Sequence, residues 1–122
     1  MILADTSVWV QHFRRRFPEF ATALQDGRIS MHSVVLGELA TGNLAKRAQT
    51  LAALRTLPRC QVGTTEECLD FIEHHKLHGR GIGWNDLQLL VAARLTGQPL
   101  WSFDGRLANA AEELGVAHKT IP

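Results

Sequence analysis

Net charge is nearly missing from this chain of 122 residues: 13 lysines and arginines stand against 12 aspartates and glutamates, which leaves +1 with the histidines neutral. No global basic field advertises nucleic acid, so any basic footprint has to be local. Cysteine is scarce as well. Cys60 and Cys68 are the only two, and they stand in no metal-ligand spacing. They read as free thiols of a cytosolic protein rather than as a disulfide framework. No stretch approaches the roughly 20 apolar residues that a membrane span needs. The start lacks both the basic segment and the long apolar segment of a secretory signal. The expectation is a soluble cytoplasmic protein with no membrane partner. No internal repeat, linker or low-complexity segment stands out. What is present is ordinary: 45% hydrophobic and 20% charged residues, enough for one domain with a real core over residues 1–122.

Short apolar runs alternate with helix-type periodicity along the chain. Ile2–Ala4 reads as a buried strand, with Asp5 at its C-terminal edge. Ser7–Phe13 reads as a short helix ending at Arg14, Arg15 and Arg16. Glu19–Gln25 reads as a second, restarted by Pro18. Arg28–Met31 looks like another strand. Ser33 is placed to cap a helix over Val34–Thr41, and Leu44–Leu54 is the next helix. Cys60–Val62 is a short strand. Thr64 and Glu67 make a capping box that opens a helix to about His78, with Cys68, Leu69, Phe71, Ile72 and Leu77 inward. His74, His75 and His78 read as its solvated end. The glycines at 79, 81 and 83 read as a tight connector, because the lysine and hydroxyl of a Walker loop are missing. Asn85–Leu95, apolar on nearly all sides, is expected at the centre. Leu100–Phe103 is a strand, Arg106–Leu114 the last helix, and Val116–Ile121 an edge strand. Strands alternating with helices predict a three-layer α/β sandwich around a mainly parallel sheet.

Four acidic residues fall at chemically telling places. Asp5 and Asp104 both follow strand-type runs, which puts both at the C-terminal edge of the sheet, where ligands bind. Asp86 opens the helix that enters the core. Glu38 lies among apolar helical neighbours, Leu36 and Leu39. Each has an ordinary explanation taken singly: a helix N-terminal charge for Asp86, an N-cap for Asp104, a solvated flank for Glu38. Drawn together they repel, and their pKa values rise unless a cation neutralises them. An all-oxygen set suits Mg²⁺ or Mn²⁺ rather than zinc, and such a site handles phosphates.

The order of these pieces resembles the PIN-domain ribonucleases, and among them the VapC toxins of bacterial toxin–antitoxin modules. The resemblance rests on Ile2-Leu3-Ala4-Asp5-Thr6-Ser7-Val8-Trp9, Gly37-Glu38-Leu39-Ala40-Thr41-Gly42, Asn85-Asp86-Leu87 and Trp101-Ser102-Phe103-Asp104, and it spans essentially the whole chain. It implies a PIN-like fold and Mg²⁺- or Mn²⁺-dependent endonucleolytic cleavage of structured RNA, such as transfer or ribosomal RNA, with inhibition of translation. It implies that Asp5, Glu38, Asp86 and Asp104 are the catalytic and metal-binding quartet. Ser7 and Ser102 would orient the carboxylates, and Ser102 stands where threonine is more usual. Gly105 and Arg106 follow Asp104 where many relatives carry a further acid, so that ligand is not expected here. A homodimer and a VapB-type antitoxin whose tail covers the site are implied as partners. Arg14, Arg15, Arg16, Arg80 and Arg106 are candidates to grip RNA, and Trp84 to stack a base. Val8, Trp9 and Phe13 are candidates for a dimer or antitoxin groove. A phosphatase of the haloacid type would need a second aspartate where Ser7 stands. A non-catalytic PIN-like scaffold that binds RNA or protein is the remaining alternative, and the intact quartet argues against it.

Overall fold

Three short parallel strands organise the chain. β1 (Ile2–Ala4) lies between β2 (Ile29–Ser30) and β3 (Leu100–Trp101). Ile2 pairs with Ile29 and Leu3 with Ser30 on one side; Leu3 pairs with Leu100 and Ala4 with Trp101 on the other. The structure, a computed structural model, describes residues 1–119. Helices flank the sheet: α1 (Thr6–Arg14), α2 (Pro18–Gln25), α3 (Ser33–Thr41), α4 (Arg47–Arg55), α5 (Thr65–His75), α6 (Trp84–Thr96) and α7 (Gly105–Glu113). This is the predicted α/β architecture with a parallel sheet. Among the described residues no helix is long and apolar enough to cross a membrane.

The two further strands expected at the sheet edges are single bridges. Met31 pairs with Arg59, and Leu100 with Ala117. The first is centred ahead of the predicted Cys60–Val62. Met31 donates its amide to Pro58 and Cys60 donates its amide to Met31, after which Gln61 and Val62 turn out to solvent. Thr120–Pro122, the end of the second, lie outside the described residues. β3 is also shorter than predicted, because the Ser102 hydroxyl and the Phe103 and Asp104 amides are engaged by side chains around Asp5.

Helix ends follow local chemistry. Thr64 and Glu67 form both halves of the capping box, at 3.1 and 2.9 Å. α3 is capped by His32 rather than by Ser33: the buried imidazole accepts the Val34 amide through Nδ1 at 3.0 Å, and Ser33 is already helical. α4 starts three residues later than its apolar pattern, because Lys46 takes a left-handed backbone, φ 49°. The Arg47 guanidinium ties the connector down by binding the Gly42 carbonyl at 3.1 Å and the Ala40 carbonyl. α5 stops at His75, where Lys76 turns left-handed, φ 54°.

The core is built on α6, whose Leu87, Leu89, Leu90, Val91, Ala92 and Ala93 are all buried. Two predicted inward residues, Leu69 and Leu95, instead face solvent. Trp9, Phe17, Phe20 and Trp101 make an aromatic cluster under α1 and α2, with Trp9 and Phe20 rings edge-on at 4.9 Å. Val8 is therefore a core residue; Trp9 is buried in the core yet borders, with the exposed Phe13, a cavity at the surface. Cys60 and Cys68 are buried free thiols.

The position of α6 gives a clean comparison. Leu90→Ala should cost about 2–5 kcal/mol, and Leu95→Ala, on a residue 46% exposed, less than about 0.5 kcal/mol. Urea unfolding midpoints check both.

Candidate active site

Asp5 is the most confined of the four acids, at 3% exposure. It follows β1 directly and caps α1, accepting the Val8 amide through Oδ1 at 3.1 Å. The same oxygen accepts the Ser7 hydroxyl at 2.5 Å, and Oδ2 accepts the Ser102 hydroxyl. Each hydroxyl has one proton and gives it to Asp5, so its oxygen is left to accept. Ser7 Oγ accepts the Phe103 amide at 2.9 Å and Ser102 Oγ accepts the Asp104 amide at 3.0 Å. Two relays thus tie the end of β1 to the turn after β3, with Ser7 and Ser102 each bonded to the Asp5 carboxylate. Burial pushes the Asp5 carboxyl upward; the Ser102, Ser7 and Val8 hydrogen bonds oppose it.

Asp104 caps α7, accepting the Arg106 and Leu107 amides through Oδ1 at 3.0 and 3.2 Å. Its ordinary role as a cap and its place in the cluster coexist, because the cap occupies one oxygen. Glu38 projects from α3, and its Oε1 accepts the Thr6 hydroxyl at 2.8 Å. Nothing in the local pattern gave Thr6 a part. Its only sequence signal is a hydroxyl in the first turn beside Asp5. Asp86, half-buried in the first turn of α6, reports on all three others. Desolvation pushes its carboxyl up to about 6, helped by the charges of Asp104, Asp5 and Glu38. Asn85 does not cap α6; Gly83 holds the cap position with no side-chain bond.

The quartet read from the sequence is thus brought within electrostatic reach of one member. Among the described residues no three His, Cys, Asp or Glu side chains are drawn in to metal-ligating distance. The donor set is all carboxylate oxygen, and Ser7, Ser102 and Thr6 already hold the outer side of two of the acids. This set fits a hard divalent cation.

The predicted arginines do not gather. Arg14 lines a cavity of about 580 Å³ that it shares with Thr6, Phe13 and Glu38. Arg15 and Arg16 line a separate recess with Phe17 and Pro18. Arg80 is held by Glu113 through two bonds, at 2.8 and 3.0 Å, and the Arg106 side chain lies against Gly81. Trp84 is exposed beside Asp86 in sequence.

The raised Asp86 carboxyl has a sign that can be measured. In the fold it keeps its proton to about pH 6, against an ordinary value of 3.8. Between those values the folded state binds more protons than the unfolded chain, so this contribution to stability is present at low pH and is lost as pH rises through 6. Asp86→Asn carries no charge to lose. In thermal melts with a chelator present, the Tm of Asp86→Asn minus that of the wild type should climb between about pH 4 and 7 and then level off. A pH-independent difference contradicts the clustering.

Comparison with known proteins places the chain in a family. The sequence profile of the PIN domain matches residues 2–113. Ribonuclease VapC32 of Mycobacterium tuberculosis, in both strain CDC 1551 / Oshkosh and strain H37Rv, is 39% identical over 118 residues, which cover 96% of this chain and 95% of the relative. The crystal structure of FitAcB from Neisseria gonorrhoeae shares the fold at a TM-score of 0.64 and 19% identity, covering 96% of this chain and 95% of that one. The chain therefore belongs to the PIN-domain family and is of the VapC type.

Proposed function

We propose that this protein is an Mg²⁺- or Mn²⁺-dependent endoribonuclease that acts as the toxin of a toxin–antitoxin module. On this reading it cuts phosphodiester bonds of structured RNA, transfer or ribosomal, and thereby halts translation. The observation that carries the reading is the set of three carboxylates, Asp5, Glu38 and Asp104, acting on a fourth, Asp86. The name of the 39% identical relative, a ribonuclease, points the same way.

Asp5, Asp86 and Asp104 would hold the cation, with Glu38 completing the set. Bound there, it supplies charge neutralisation and polarises a phosphate oxygen and a water. The chain does the rest. Ser7 and Ser102 fix the Asp5 carboxylate by occupying one lone pair on each oxygen. Thr6 anchors Glu38 through Oε1, so this carboxylate can orient the attacking water and take its proton. In-line displacement at phosphorus leaves a 5′-phosphate and a 3′-hydroxyl. Arg14, which shares a cavity with Glu38, would meet the RNA backbone.

A VapB-type antitoxin and a second copy of this chain are the partners that this reading implies. A second cavity, lined by Phe13, Leu24, Ala45, Lys46, Thr50 and Leu54 among others, shares Phe13, Ala45 and Thr50 with the cavity at Glu38. The first of these cavities reaches Glu38. A segment of a VapB-type antitoxin lying along it would cover the site, and a homodimer completes the assembly.

Purified protein tests the chemistry. Asp86→Asn and Asp5→Asn should lose detectable RNA cleavage with an unchanged circular dichroism spectrum. Ser102→Ala should lose about 10- to 100-fold. Chelation should silence the wild type, and Mg²⁺ or Mn²⁺ should restore it. A folded Asp86→Asn protein that cuts normally overturns the assignment. A wild type that binds RNA and never cuts it favours the scaffold.

A further inference from the structure

The glycine-rich connector before α6 does more than turn the chain. Gly79 and Gly81 both lie in the left-handed region, at φ 70° and 76°, which disfavours any residue with a Cβ. Gly81 has a second reason to lack one. A Cβ there would stand 2.7 Å from Nη1 of Arg106 and 3.0 Å from its Cδ and Cζ, so the Arg106 side chain occupies space that a side chain at 81 would need. One residue earlier, Arg80 fastens the same connector to the far end of α7 through its two bonds to Glu113. Arg80 is therefore a brace, with its charge already answered by a carboxylate.

Arg106 is in the opposite state. Its backbone amide is bound by Asp104, yet among the described residues its guanidinium has neither a carboxylate nor a hydrogen-bond acceptor. It is an exposed cation with five uncommitted donors, resting against Gly81. Its position is specific. Asp104 stands two residues before it, and the connector it lies on runs straight into the first turn of α6, which carries Asp86. A planar, permanently charged fork of donors rooted two residues beyond Asp104 is suited to take two oxygens of one phosphate.

Resting on the ribonuclease reading, we infer that Arg106, seated in the Gly81 cradle that the Arg80–Glu113 pair braces, is a phosphate subsite for the RNA backbone flanking the scissile bond. The ligand is the phosphodiester itself, without regard to base. Gly81 is a positioning residue that acts through Arg106.

The test uses the full chain carrying Asp86→Asn, so that RNA is bound without being cut. The probe is an unfractionated pool of transfer and ribosomal RNA, with affinity followed across a potassium chloride series. Arg106→Gln should weaken binding and reduce the slope of log affinity against log salt by about 1. Gly81→Ala should do the same, and the two together should lose no more than either alone, since one acts through the other. Arg106→Lys should recover part of the slope and less of the affinity. In the cutting enzyme the Arg106→Gln defect should fall mainly on KM. An Arg106→Gln protein with the parent's slope and affinity overturns the inference, whatever Gly81→Ala does. So does additive loss in the double variant. A parent without salt-dependent binding, together with a wild type that cuts no RNA, overturns the ribonuclease reading instead.

Discussion

Asp5 carries a carboxylate into the interior at the end of the central strand, where an unpaired charge would cost several kcal/mol or drive the group neutral. Three donors answer it: the Val8 amide from the first turn of α1, the Ser7 hydroxyl, and the Ser102 hydroxyl from beyond β3. Both serines are in turn loaded by amides of the turn that presents Asp104. Pairing β1 with β3 therefore brings Asp104 beside Asp5 in the same step that compensates the buried charge. Sheet and site are assembled together, and loss of either serine would loosen both.

What remains uncompensated is the repulsion among the acids. No basic side chain is enlisted to neutralise them: among the described residues Arg80 is paired with Glu113, Arg28 with Asp26 and Lys119 with Glu112, all away from the quartet. Asp86, whose carboxyl is raised first by burial, is raised further by this repulsion. Three carboxylates that act on a fourth, with none of these paired bases beside them, make the quartet a locally unfavourable arrangement. Local violations of this kind mark functional sites.

Much of this could be read in the residues. The alternation of apolar runs and helical periods gave the parallel α/β architecture, and the quartet was visible because each acid ends a strand-type run or sits on a helix. The capping box at Thr64 and Glu67 was legible because both partners lie within one turn. Features that depend on distant residues were not. The Thr6–Glu38 and Arg80–Glu113 bonds join residues more than thirty positions apart. The His32 cap defeated a rule that favours serine, since burial of the imidazole decides which side chain reaches the Val34 amide. Leu69 and Leu95 counted as core by period, although α5 and α6 turn them to solvent. The chemistry of Gly81 was half legible: its backbone freedom could be expected, and its role as a seat for Arg106 needed coordinates.

The most direct measurement is made in cells. Wild type and Asp5→Asn are induced in parallel in a bacterial host without an antitoxin, and RNA 5′ ends are sequenced. The account predicts growth arrest with new 5′-phosphate ends at defined positions in the wild type only. Equal arrest by both proteins, or no new ends from an abundant, folded wild type, would contradict the claim that the carboxylate quartet cuts RNA.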